Sequence, residues 1–286
     1  MSSKLQAAIA RMQRAVPLTG GAVLVGLSGG KDSLVTLDLC TRVFPRVEAF
    51  YMYHVAGLDC VERHVESAAK RARVKLHKVP HPELSRLIKL SILRPHTVGC
   101  EDVKLIKQKD IEEALARDTG ITWCAYGERA SDSFARRLYT RKNDGIHEGW
   151  KRVWPIWDWL QADVYAYLKA RRIPLPERMG AADNKHMTGF SLKPKTLAWM
   201  KEHAPSDYAK VLRVFPYAEV QVIRYANEQA KAAARAAEKA AAGGSESKPK
   251  PRRGRRAGGA VRVSEVHDDA GAPLATAERA LQPAHD

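Results

Sequence analysis

Gly21-Ala-Val-Leu-Val-Gly-Leu-Ser-Gly-Gly-Lys-Asp-Ser33 is a short apolar run that breaks into a glycine-rich turn, and Leu34, Leu37 and Leu39 follow at near-helical spacing. The pattern predicts a strand, a loop and a helix. Two glycines let the backbone approach an anion closely, and the helix N-terminus beyond them offers unpaired N–H groups with a favourable dipole. Ser28 and Ser33 add hydroxyl donors, and Lys31 adds a charge. Taken alone, the loop Ser28, Gly29, Gly30, Lys31, Asp32 and Ser33 predicts an anion site and nothing narrower. Its spacing is not that of the Walker motif, which needs four residues between its first Gly and the Gly-Lys-Ser/Thr, so a P-loop kinase or GTPase does not fit.

Working outward, the same unit repeats. Val47 to Val55 reads as a β-rich strand, Cys60 to Arg73 as a charged helix with Val61, Val65 and Ala68 on one side, and Val74 to Val79 as a strand. Past Pro80 and Pro82 a helical stretch runs to Leu93; a further helix spans Val103 to Arg117 and is closed by Gly120. Ile121 to Tyr126 is an apolar strand that ends at Gly127, Lys151 to Ile156 adds a last strand, and Trp157 to Ala170 a helix. Strands alternating with long helices imply a parallel sheet with right-handed crossovers, so an α/β, doubly wound fold is predicted. Ligands in that architecture gather beyond the carboxyl ends of the strands, where Ser28 to Ser33, His54 to Asp59 and Gly127 to Arg137 should converge. The predicted organisation is an α/β domain over 1–176 that carries the anion loop, a helical extension over 177–242 and a tail over 243–286. The tail is rich in Gly, Ser, Pro, Lys, Arg and Ala, has no aromatic residue and is expected to be disordered.

At 286 residues and 45% apolar content the chain can bury a sizeable core. No apolar run approaches the roughly 20 residues of a membrane span, so none is predicted. Met1 to Val16 carries Lys4, Arg11 and Arg14 without a central apolar block, which reads as an amphipathic helix and not as a secretory signal. Cys40, Cys60, Cys100 and Cys124 are scattered with no C-x-x-C pair, as expected for reduced thiols in a cytoplasmic protein. The formal charge is +16; from Asn227 onward eleven Lys and Arg face eight Asp and Glu, which leaves +13 in residues 1–226. A basic folded region predicts anionic ligands, whether nucleotide or nucleic acid.

The hexapeptide Ser-Gly-Gly-Lys-Asp-Ser after an apolar strand resembles the PP-loop of the ATP pyrophosphatase, or adenine nucleotide α-hydrolase-like, superfamily. The likeness continues at Gly127-Glu-Arg-Ala-Ser-Asp-Ser-Phe-Ala-Arg-Arg137 and at Trp154-Pro-Ile-Trp-Asp-Trp-Leu-Gln-Ala-Asp-Val164, which resemble later blocks of the phosphoadenosine phosphosulfate (PAPS) reductase family. It covers Gly21 to Pro176. The resemblance implies a Rossmann-like, HUP-type sheet of five parallel strands, with the adenine against the second strand near Met52 to His54 and the loop on the phosphates. Superfamily members that cleave ATP adenylylate a substrate and release pyrophosphate, helped by magnesium. In the PAPS reductases a cysteine thiolate attacks the bound sulfonucleotide, from a mobile C-terminal Glu-Cys-Gly-Leu/Ile-His segment. Here the last cysteine is Cys124, at the end of a predicted buried strand, so the thiol route lacks its nucleophile. The expectation is ATP-dependent adenylylation of an unidentified acceptor, with a role in sulfur transfer. Its rivals are a PAPS reductase using an external thiol, and a non-catalytic nucleotide-binding module that docks on nucleic acid or a protein.

On this expectation Lys31 and Arg136 or Arg137 offset phosphate charge in the reaction, while Gly127 and Arg129 join the nucleotide site. A solvated basic helix face is the plainer account of Arg136, Arg137, Arg141 and Lys142. Asp32 is a candidate for magnesium contact through water or for a helix cap, and Asp132 is a weaker one. Cys60-x-x-x-His64 with His96-x-x-x-Cys100 offers a loose zinc quartet. Buried cysteines and surface histidines account for the same residues, so zinc is not expected; nor is an iron–sulfur cluster, for want of a C-x-x-C pair. Trp150, Trp154, Trp157 and Trp159 suit base stacking or packing, and their apolar neighbours favour packing. The Lys248 to Arg256 run resembles a nucleic-acid-binding tail, with a solubilising linker as the alternative. Candidate partners are thus an adenine nucleotide, the acceptor, nucleic acid on the basic face and tail, and a second copy of the chain.

Overall fold

The structure, a computed structural model, describes residues 3–175 and 191–242; the predicted tail over 243–286 lies outside the described residues. β1 (Ala22–Gly26) sends Val23 and Val25 into one core and Leu24 into another, as the two-residue period of a strand buried on both faces requires. It pairs in parallel with β2 (Arg46–Tyr53) on one side and β4 (Cys124–Ala125) on the other. β2 pairs with β3 (Leu76–Pro80) and β4 with β6 (Arg152–Val153), both in parallel, while β5 (Ile146–His147) runs antiparallel to β6 at the edge. The order is β3-β2-β1-β4-β6-β5. The five parallel strands expected from the sequence are present, joined by an antiparallel edge strand that the sequence pattern does not announce. β5 is only two residues long, too short to show alternation.

Helices cover both faces. α1 (Ser3–Leu18), α2 (Lys31–Val43), α3 (Asp59–Ala72) and α7 (Gln161–Ala170) share one core with Val23, Val25, Ala49 and Tyr51. α5 (Gln108–Thr119) packs Ile111 and Leu115 on the other face, against Leu24, Phe50, Cys124 and Trp154. Fully burying one such side chain stabilises the fold by about 1.5–3 kcal/mol. α8 (Pro194–His203) adds Leu197 and Met200 to the first core, α9 (Pro205–Val214) adds Tyr208 and Val211, α10 (Ala218–Ala242) adds Ala218 and Val222, and Phe215 joins them between α9 and α10. Among the described residues no helix is long and apolar enough to cross a membrane.

Where boundaries differ from the sequence expectation, local chemistry explains them. The helix expected to reach Leu93 is α4 (Pro82–Lys89), because Ser91 and Leu93 take φ of 49° and 60°, which no helix tolerates. The helix expected from Val103 begins at Gln108, where Asp110 accepts from Lys107 N at 2.7 Å; α7 begins at Gln161, not Trp157, where Asp163 accepts from Leu160 N at 2.8 Å. Each carboxylate satisfies the N-cap N–H that the helix start leaves without an intrahelical partner, fixing the start there. Trp154 and Trp159 are buried and Trp157 is half-buried, but Trp150 is 48% exposed and stacks on His147 at 4.3 Å.

Candidate nucleotide site

From β1 the chain runs to β2 on one side and later to β4 on the other, so the carboxyl ends of β1 and β4 flank a topological switch point. A cleft of about 780 Å³ opens there, lined by Ser28, Asp32, Ser33, Met52, His54 and Gly127 among others. The phosphate loop closes its floor. Gly29 has φ of 78°, a left-handed conformation that favours glycine, and a Cβ there would stand 3.1 Å from Val65. Gly30 precedes α2 with no side-chain cap, leaving the first-turn N–H groups for an anion. Ser33 Oγ donates to Gly30 O at 2.9 Å and Ser28 Oγ lies 3.2 Å from Ser33 Oγ, so the two hydroxyls brace the turn.

The charges around the loop form a chain of pairs. Lys31, 5% exposed, donates to Asp32 Oδ2 at 2.5 Å instead of lining the cleft. Arg129, equally buried, stands between two carboxylates: Nε lies 3.0 Å from Asp32 Oδ1 and Nη2 lies 2.7 Å from Asp132 Oδ1. Arg136 on α6 (Phe134–Lys142) does line the cleft, with Asp132 and Glu128 each at 3.5 Å. Arg137 faces elsewhere, onto a shallow depression shared with Arg141, Trp157 and Leu160. Asp32 Oδ2 accepts from Lys31 Nζ, while Asp32 Oδ1, close to Arg129 Nε, has no hydrogen-bond partner among the described residues.

Several cleft residues escape the sequence reading. Glu128 lines the wall and accepts from Trp154 Nε1 at 2.8 Å and Tyr139 Oη at 2.9 Å, an anchored carboxylate; burial and that neighbouring charge push the Tyr139 hydroxyl pKa up. Ser191, Lys193, Lys195 and Thr196 form part of the lining, at the start of α8. Their signal in the sequence is Lys-Pro-Lys-Thr, in which a proline suited to the first helical position stands between two cations. His81 also lines the cleft, at the end of β3, and burial together with His54 lowers its pKa.

None of the four cysteines lines the cleft. Cys40 and Cys124 are buried in the two cores; burial pushes the first thiol up and the second up to about 12. Cys60 rises to about 12 through burial and its hydrogen bond with Asp207. Cys100 is held below the usual thiol range by hydrogen bonds with Thr97. Cys60, His64, His96 and Cys100 do not converge as a quartet: among the described residues, the group that brings three such ligand atoms together is His54, His81 and Glu83.

Residues 22–179 match the family model of the phosphoadenosine phosphosulfate reductase domain. A search of curated proteins gave no match. Among solved structures, the U34-tRNA thiolase NcsA from Methanococcus maripaludis with its 4Fe-4S cluster is similar at 16% identity, over 76% of this chain and 78% of that one, with a TM-score of 0.43. The NH3-dependent NAD synthetase from Campylobacter jejuni in complex with the nitrate ion is similar at 13% identity, over 79% and 96%, with a TM-score of 0.42. The family match spans more than half of the chain, and takes in the phosphate loop, the Arg129 segment and α7: the protein belongs to the phosphoadenosine phosphosulfate reductase domain family.

Proposed function

We propose that the protein binds ATP in this cleft and transfers its adenylyl group to an acceptor. The acceptor nucleophile bonds to the α-phosphorus, the bond to the bridging oxygen breaks, and pyrophosphate leaves. Ser28, Ser33 and the first-turn N–H groups of α2 hold the phosphates, and Arg136 offsets charge that grows on the leaving group. Lys31 and Arg129 act through Asp32, keeping the loop in register while lowering its local negative charge. Met52 and His54 flank the adenine, and Lys193 and Lys195 draw anionic ligands inward from the opposite wall. The observation that carries this proposal is a fully built phosphate loop in a cleft that no thiol lines.

The family match favours a second reading, in which PAPS is the ligand and a thiol from another molecule attacks its sulfur. Incubation with ATP, magnesium and a panel of acceptors, read as pyrophosphate release, tests the first. Sulfite release from PAPS with an added thiol and no pyrophosphate from ATP would install the second.

A further inference from the structure

His54 directly follows β2 and His81 directly follows β3. The parallel register sets Tyr53 opposite Pro80, and His81 N donates to Tyr53 O at 2.7 Å, so the sheet itself brings the two imidazoles together. Their rings stack 4.3 Å apart, 20° from parallel. Glu83, in the first turn of α4, places Oε2 3.0 Å from His54 Nε2. The three ligand atoms lie within 4.8 Å of one another, and both imidazoles line the nucleotide cleft.

Zinc holds nitrogen and oxygen ligands at about 2.0–2.2 Å, which in a tetrahedron separates ligand atoms by about 3.3 Å. The His54 to Glu83 distance is already close to that edge. An ion pair accounts for those two residues and needs no second imidazole beside them. His81 caps α4, its Nδ1 accepting from Glu83 N at 3.1 Å, but Asn, Asp and Ser are the preferred caps, so capping alone does not call for histidine. Metal binding through Nδ1 would exchange that one cap bond for a metal–nitrogen bond, and binding through Nε2 would keep it.

We propose that His54, His81 and Glu83 form a mononuclear site for a divalent transition metal, zinc by its ligand set, with a fourth position open to the cleft. Two nitrogen donors select against magnesium, which takes oxygen ligands. The open position accepts an anionic oxygen or sulfur of whatever occupies the cleft, so the site holds independently of the adenylylation reading.

The test uses the full chain, stripped with a chelator and dialysed against zinc, with cobalt(II) absorption as the probe of ligand type. One equivalent of zinc is expected, retained in excess magnesium, and a tetrahedral cobalt spectrum without a thiolate charge-transfer band. His81→Asn keeps a cap on α4 but removes the imidazole; Glu83→Gln alters an exposed side chain. Each should weaken zinc binding at least tenfold, with a melting temperature within a few degrees of the unmodified protein. Should His81→Asn fold poorly, Glu83→Gln decides. Substoichiometric zinc, unchanged affinity in Glu83→Gln, or a thiolate band would overturn the site.

Discussion

Gly127 lies so close to Asp32 that a Cβ on the glycine would stand 2.7 Å from both the carbonyl carbon and the carbonyl oxygen of the aspartate, and 2.9 Å from Ser33 N. The loop after β4 is therefore seated on the backbone of the first turn of α2. Two residues further on, Arg129 fastens the same contact through its ion pair with Asp32. The phosphate loop owes its shape to this second loop as much as to its own glycines.

Gly127→Ala should therefore disturb the nucleotide site without touching a ligand. Backbone atoms cannot swing aside as a flexible side chain would, so the two loops must part, at a cost of about 1–3 kcal/mol. ATP affinity measured by calorimetry is expected to fall at least tenfold, with a lowered melting temperature. Affinity equal to the unmodified protein would show that the contact is not needed to shape the loop.

Arg129 and Arg136 are neighbours in the sequence block but should separate by phenotype. Removing Arg129 takes one cation from each of two carboxylates that are about one-fifth exposed, leaving Asp32 with Lys31 and Asp132 with the longer Arg136 pair, so Arg129→Ala should destabilise by about 1–3 kcal/mol. Arg136 is more exposed and its pairs are longer. Arg136→Ala should leave the melting temperature within about 2 °C while lowering turnover at least tenfold. Thermal melts and pyrophosphate release on both variants check this; a stable Arg129→Ala protein would contradict the bracing role.

How much of this was legible beforehand depended on range. The loop from Ser28 to Ser33 reads directly, because glycines, hydroxyls and a helix start are consecutive and local. Lys31 reads as a phosphate ligand for the same reason, yet its ammonium turns to Asp32, since which way a long side chain points depends on a partner next to it in space. Arg129 could not be seen as a brace without the parallel pairing of β1 and β4, which brings the two loops together across about a hundred residues. The Lys193 and Thr196 wall and the His54 with His81 stack are likewise products of tertiary register, carried by no short motif.

Lys193 is exposed and faces the cleft from the start of α8, so its contribution should be long-range attraction and not a buried bond. Lys193→Ala should weaken ATP binding about three- to tenfold at low salt. Because an exposed charge is screened over about 8–10 Å at physiological ionic strength, the gap should narrow as salt rises. Titrations at two salt concentrations check it, and a deficit that does not change with salt would point to direct, desolvated contact instead.

The four thiols offer the sharpest separation between the two chemistries of the cleft. Cys124 is 2% exposed, and burial pushes its pKa up to about 12, so at pH 8 only about one part in ten thousand is thiolate. Cys40 is more deeply buried still. Both should resist a thiol reagent until the chain unfolds. Cys100 is 3% exposed, yet it should label first, because Thr97 favours its thiolate and because, unlike the core thiols, it lies in a stretch of turns between α4 and α5 that can open locally. Cys60, partly exposed but with its pKa raised to about 12, should follow. If none of these thiols does chemistry, replacing all four with alanine should cost stability at the three buried positions, Cys40, Cys100 and Cys124, about 1–2 kcal/mol each, and leave pyrophosphate release from ATP within about threefold. Measured alongside it, sulfite release from PAPS with an added thiol is expected to be absent in both proteins. Sulfite formed by the unmodified chain and lost in a single cysteine variant that still folds and binds nucleotide would replace adenylylation with reduction by the protein's own thiol.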